Sequence, residues 1–184
     1  MPDTRRTCLA LLPVIFLTIS VTSRGATSTL GSTDAQQCFE ASRLPLSIDG
    51  VSACDKAIQG GGLTRHDLAA TYSNRGIIYA ANGQYTRALK DHDKAVEVAP
   101  DMGEAYINRG NVYYHTRQYE KALTDYNKAI ELNAAPAATS WYNKALTLIR
   151  LNRKKEARAA LEQALVTAPD SQKIKRRLSD LSDM

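Results

Sequence analysis

The chain has little of what most enzymatic chemistries require. Its three histidines, His66, His92 and His115, lie 26 and 23 residues apart, and its three cysteines never stand beside them. No group therefore has the short spacing that holds a metal ion. Glycine-rich phosphate loops, a nucleophile elbow and paired-carboxylate motifs are missing as well. The expectation is a protein that is not an enzyme and uses no cofactor.

Strong charge is also lacking. The chain carries 24 Lys and Arg against 19 Asp and Glu. Residues 1–25 contain Arg5, Arg6 and Arg24 against Asp3, which leaves 21 basic and 18 acidic side chains beyond them. A net +3 is too mild for the concentrated basic face that nucleic acid recruits. Long apolar runs are confined to one, CLALLPVIFLTISV from Cys8 to Val21, shorter than the roughly 20 residues of a membrane-spanning helix.

That run follows Arg5 and Arg6 and precedes the small residues of VTSRGATS, the order of an export signal. Cleavage after Ser23 or Gly25 is expected. The mature chain would then carry no integral membrane segment and would be periplasmic or secreted. It would keep Cys38 and Cys54, an even pair that an oxidising compartment turns into a disulfide. In the loop-entropy model a bridge of this span contributes about 3 kcal/mol. DAQQCFEA and a second segment, from Ser47 through VSACDKAIQ, are expected to be the two facing helices it joins.

What the sequence does have is repetition. YSNRGIIYAANGQYTRALKDHDKA from Tyr72 returns 34 residues later as YINRGNVYYHTRQYEKALTDYNKA from Tyr106, and a weaker copy follows from Trp141 after one inserted residue. The aromatic, the small residue four on, the bulky residue three later, the paired alanines and the closing proline resemble the tetratricopeptide repeat family. The resemblance implies an all-α, right-handed solenoid of helix-turn-helix repeats. It divides the chain into a signal (1–25), a degenerate capping hairpin with a Gly60–Gly62 hinge (26–68), three repeats (69–102, 103–136, 138–171) and a capping helix (172–184). Single hairpins cannot bury both faces, so roughly three must stack.

Each unit should break near Asn82-Gly83, Thr116-Arg117 or Asn152-Arg153. Gly76, Gly110 and Ala145 mark close helix approach, and Ala88, Ala95, Ala122, Ala129, Ala157 and Ala164 line the facing side. Tyr72, Tyr79, Tyr85, Tyr106, Tyr113, Tyr119, Trp141, Leu148 and Lys154 are assigned to the core by their helical spacing, and His92, in the slot of Tyr126 and Leu161, to packing. Ile174, Leu178 and Leu181 share the face of a closing helix. Arg75 with Asp91, and Arg109 with Asp125, are expected to pair within units 1 and 2, whereas unit 3 has Lys144 and Ala160.

The family resemblance implies a partner protein or peptide held in the concave groove of the first helices. The residues placed there are Asn74, Ile107, Asn108, Asn111, Tyr114, Asn143 and Arg150. Asn74, Asn108 and Asn143 form a repeated column, which can either bond the backbone of an extended peptide or bond the adjacent repeat. Some members of the family grip a C-terminal carboxylate with two Lys, two Asn and an Arg. The corresponding places here are Ser73, Ile77, Asn108, Thr139 and Asn143, so only one of the five is kept. The alternative role is structural: self-association within an envelope assembly through the convex face.

Overall fold

The computed structural model describes residues 33–44 and 49–182. The expected signal, residues 1–25, lies outside the described residues. Among those described, all regular structure is helical. A first hairpin, α1 (Thr33–Ser42) and α2 (Gly50–Gly60), precedes three more: α3 (Arg65–Ala81) with α4 (Tyr85–Val98), α5 (Gly103–His115) with α6 (Tyr119–Glu131), and α7 (Ala137–Arg150) with α8 (Lys154–Thr167). The chain closes with α9 (Gln172–Ser182). Each second helix packs on the next first helix, both α1 and α2 pack on α3, and α9 packs on α8. The result is an all-α solenoid.

The three sharp turns repeat one backbone device. Gly83, Arg117 and Asn152 adopt φ of 72°, 61° and 58°, and the amide of the next residue reaches five residues back. Gln84 donates to the carbonyl of Tyr79 at 2.8 Å, Gln118 to that of Tyr113 at 2.8 Å, and Arg153 to that of Leu148 at 2.9 Å. This left-handed cap satisfies carbonyls that a helix end leaves open. Only Gly83 adopts it without strain. At the start of α3, the hydroxyl of Thr64 accepts from the amide of Asp67 at 3.1 Å and donates to its carboxylate at 2.7 Å, fixing where the helix begins. The expected glycine hinge is an irregular link beginning at Gly61 and Gly62, both with positive φ, because Gly60 still belongs to α2.

Alanine makes the contact between helices. Ala88, Ala95, Ala122, Ala129, Ala157 and Ala164 are all fully buried. Where a first helix comes closest, glycine is required: a Cβ on Gly76 would lie 2.7 Å from Cε1 of His92, and one on Gly110 would lie 2.8 Å from Cε1 of Tyr126. Unit 3 pairs Ala145 with Leu161 instead, both buried.

The aromatic side chains are a correction to the expected core. Tyr72, Tyr79, Tyr106, Tyr113, Tyr119 and Trp141 are half-buried, and Tyr85 and Lys154 are exposed. Of the nine residues assigned to the core, only Leu148 is fully enclosed. Tyr72, Tyr106, Tyr113 and Trp141 pack against the core clusters from their edge, and the rings carry cations: the guanidinium of Arg75 lies 5.5 Å from the Tyr72 ring, Arg109 lies 5.5 Å from Tyr106, and the ammonium of Lys144 lies 4.9 Å from Trp141. Spacing alone places a stripe on a helix face, and that face here is the rim.

Arg75 and Arg109 use the polar side of the same rim. Arg75 donates through Nε and Nη2 to both oxygens of Asp91, each at 2.7 Å, and Arg109 does the same to Asp125 at 2.9 and 2.7 Å. Each arginine also reaches back one hairpin, Arg75 to Asp55 and Arg109 to Asp93. These second carboxylates occupy equivalent places in CDKA and HDKA. Asp91 and Asp125 are buried, and their guanidinium partners are largely so. The carboxylates hold both guanidinium groups charged at any accessible pH.

Candidate functional site

The first helices α3, α5 and α7 stand side by side, and three adjoining cavities lie along them. The first, about 270 Å³, is bounded by Ala70, Asn74, Glu104 and Asn108, with Phe39 from α1. The second, about 440 Å³, runs from Ile77 and Ala81 to Asn111 and His115 and is floored by His92. The third, about 220 Å³, is formed by Asn111, Tyr114, Asn143 and Leu146 over Tyr126. Asn108 borders the first two and Asn111 the last two, so the cavities follow one another as a groove.

The asparagines are held in place by neighbouring repeats. Ser42 Oγ donates to Asn74 Oδ1 at 3.4 Å, Asn108 Nδ2 donates to Ser73 Oγ at 3.0 Å, and Asn143 Nδ2 donates to Asn111 Oδ1 at 3.0 Å. Tyr126 donates its hydroxyl to the same Asn111 oxygen at 2.9 Å. These are bonds between units, one of the two roles open to the column. The amides are nonetheless half-buried and stay on the groove wall. Fixed amides of this kind cost a ligand little ordering.

Six of the seven residues expected in the groove are half-buried or exposed on the first-helix face. Tyr114, Asn111 and Asn143 meet at the third cavity, and Arg150 extends beyond it with Nε donating to the Tyr114 hydroxyl at 3.3 Å. Tyr114 is further held edge-on against Tyr119 and His115, with ring centroids 5.6 and 6.0 Å away.

Ile107 is the correction. It is 6 % exposed and packs with Ala122, Tyr126, Ala129 and Ala134 in the core of unit 2. Ser73 and Tyr142, its counterparts in units 1 and 3, are buried too. A first helix in a stack is covered on one side by its own partner and on another by the next first helix, so its free stripe is narrow.

Two contributions escaped the periodicity. Phe39 is 38 % exposed and borders the first cavity, so the degenerate hairpin extends the groove wall. Its sequence gives no repeat signal there. His92 is buried to 1 % exposure yet lines the second cavity, and among the described residues its Nδ1 has no hydrogen-bond partner. Burial, and then the charge of Arg109, hold its pKa down to about 4. The imidazole is neutral at physiological pH.

At the two ends the groove is closed differently. Cys38 and Cys54 lie fully buried between α1 and α2, their Cα atoms 4.7 Å apart and their sulfurs within bonding distance. At the other end Ile174 and Leu181 of α9 are buried and Leu178 packs beside them. Lys173 places its ammonium 4.4 Å from the ring of Tyr142. Among the described residues no helix is long and apolar enough to cross a membrane, and no group of three His, Cys, Asp or Glu could hold a metal ion.

A family model for the tetratricopeptide repeat matches residues 67–135 and 101–168, more than half of the chain. The fold is similar to that of solved structures. The first such domain of Spaghetti (RPAP3) bound to the HSP90 peptide SRMEEVD is 21 % identical with a TM-score of 0.61, over 64 % of this chain and 95 % of that one. The second domain of human RPAP3 in complex with the HSP70 peptide SGPTIEEVD is 22 % identical with a TM-score of 0.60, over 65 % and 98 %. The Arabidopsis OM64 domain is 19 % identical with a TM-score of 0.60, over 64 % and 97 %. No curated protein matches the chain. At these identities the likeness concerns the fold.

Proposed function

Because the chain belongs to the tetratricopeptide repeat family, we propose that it is a non-enzymatic scaffold or adaptor that holds an extended segment of a partner protein in the groove of its first helices. The observation that supports this most is the run of three cavities joined by amides already fixed from behind. A ligand there meets both donors and acceptors without ordering the wall. The RPAP3 domains are bound to HSP90 and HSP70 peptides in the same fold.

The expected ligand differs from those tails. Of the five places with which some relatives grip a terminal carboxylate, Ser73, Ile77, Thr139 and Asn143 lack the needed residue, and Ser73 is buried. An internal segment lying across the groove fits better than a chain end.

We further propose that the protein is exported from a bacterial cell to the periplasm or beyond, with residues 1–25 removed and Cys38 bridged to Cys54. The Arg-apolar-small order of the N-terminus and the placement of the two sulfurs support this reading. The division into a capping hairpin, three units and a capping helix follows the repeat, with unit borders at 69, 103, 138 and 172.

Selection from a displayed library of random extended peptides tests the groove. The wild-type protein should enrich peptides, and Ala81→Arg, which places a long side chain in the second cavity without touching an inter-unit hydrogen bond, should lose them. Enrichment that is equal for both proteins would place binding on the convex face, where self-association is the competing role.

A further inference from the structure

The helix that ends the array starts as a first helix does. The amide of Ala99 donates to the carbonyl of Ala95 at 2.9 Å and that of Met102 to Ala99 at 3.0 Å, turning α4 into α5. Ala168 and Ser171 repeat both bonds, to Ala164 at 3.0 Å and to Ala168 at 3.1 Å, and turn α8 into α9. Both turns contain Pro-Asp, at Pro100 and Pro169, and the interval between them, 69 residues, sets α9 on α5. Ile174 and Leu181 then coincide with Ala105 and Val112, and all four are buried. The array therefore has a fourth first helix, and its groove has one more wall than the three repeats supply.

Between α7 and α9 lies a further cavity, of about 490 Å³, bounded by Tyr142 on one side and by Lys173, Arg176, Arg177 and Asp180 on the other. In the shared register Tyr142, Lys173 and Arg177 stand where Ser73, Glu104 and Asn108 line the first cavity. The same place in the array thus occurs at both ends, with opposite charge. The charged residues lining the first cavity are Asp67 and Glu104, whereas the cavity at α9 has three cations and one carboxylate. That carboxylate, Asp180, lies 3.8 Å from Arg177, and among the described residues Lys173 and Arg176 have no carboxylate partner. Lys173 is held instead over the ring of Tyr142.

We propose that the cavity at α9 takes two carboxylate side chains, Asp or Glu, grouped at one end of the bound segment. They balance the two cations left over, through the charge-assisted hydrogen bonds that ammonium and guanidinium groups form. A nucleic acid or an anionic membrane is charged throughout and would meet Asp67 and Glu104 at the other end of the groove. A polypeptide can be acidic at one end and neutral over the amides in between. The two cavities are two first-helix intervals apart, about 20 Å, which about six residues of extended chain span. This assignment rests on the peptide-groove reading and adds the charge and direction of the segment to it.

Selection from random displayed peptides of about twelve residues, twice that span, tests the assignment. Peptides enriched on the wild-type protein should group Asp or Glu at one end. Lys173→Glu with Arg176→Glu, both exposed, should instead enrich peptides with Lys or Arg there. By fluorescence anisotropy this variant should bind a wild-type peptide at least about tenfold more weakly. Lys155→Glu with Lys175→Glu makes the same change of charge at exposed places outside the cavity and should weaken binding less than about threefold. Lys173→Gln with Arg176→Gln, whose peptides should lose the acidic end, decides the matter should the reversed variant not fold. Wild-type peptides with no acidic end would overturn the assignment. So would equal weakening by the two charge-matched pairs, which is what a general attraction for nucleic acid or an anionic surface predicts. Failure of the groove reading shows separately, as a selection in which Ala81→Arg keeps its peptides.

Discussion

Units 1 and 2 are fastened by guanidinium forks, unit 3 by hydrocarbon. In the first two, one arginine joins two hairpins, holding a buried aspartate of its own unit and a second aspartate of the hairpin before. Unit 3 has Asn127 behind it, Lys144 in the arginine position and Ala160 in the aspartate position. Lys144 turns to the face of Trp141, and burial lowers its pKa. What holds unit 3 is a continuous apolar cluster of Leu148, Leu161, Ala160 and the α9 residues Ile174 and Leu181. A fork needs a matching carboxylate on the hairpin before, and Asn127 does not supply one to unit 3. There the hydrocarbon of α9 covers α8 instead.

Substitutions in the two regions should separate these modes of attachment. Leu148→Ala in unit 3 should cost the most, about 4 kcal/mol, from lost burial and the cavity left behind, read by urea denaturation. Asp125→Ala in unit 2 should follow at about 3 kcal/mol, since it leaves the largely buried Arg109 guanidinium with the exposed Asp93 as its remaining carboxylate. Lys144→Ala should cost under about 1 kcal/mol. Equal losses for Asp125→Ala and Lys144→Ala would break the comparison.

Acid should strike unit 1. The folded pKa of His92 is about 4, below its ordinary 6.5, so the folded state favours the neutral ring. Its contribution is complete above about pH 6.5 and declines as the pH falls toward 4. The loss reaches about 2 kcal/mol by pH 5 relative to pH 8. Chemical denaturation at several pH values should show this slope, and His92→Leu should remove it. A modest gain is expected as well: Arg117→Gly relieves a left-handed residue at an exposed turn and should add about 1 kcal/mol.

The hairpins and their turns were legible because a 34-residue repeat places Asn-Gly in one copy over Arg117 in another, and one backbone cap explains both. The ion pairs were legible because both partners recur together and vanish together in unit 3. Side-chain direction within the first helices was harder to read. Ile107 is one turn from both Gly103 and Gly110, so it shares the face that packs on its own partner helix and meets Ala122, Tyr126 and Ala129 of α6. The tyrosines follow the same logic in reverse, since their stripe runs along the rim. His92 was legible as a packing residue from its slot, whereas the lack of a partner for its Nδ1 among the described residues shows only in the structure.

The groove itself is tested most directly by one affinity comparison. A peptide recovered by selection on the wild-type protein should be titrated, by fluorescence anisotropy, into wild type, Ala81→Arg in the second cavity, and Val166→Arg at an exposed site on α8. The account requires a loss of at least about tenfold for Ala81→Arg and no change for Val166→Arg. Unchanged affinity in Ala81→Arg together with a loss in Val166→Arg would contradict it and move binding to the convex face.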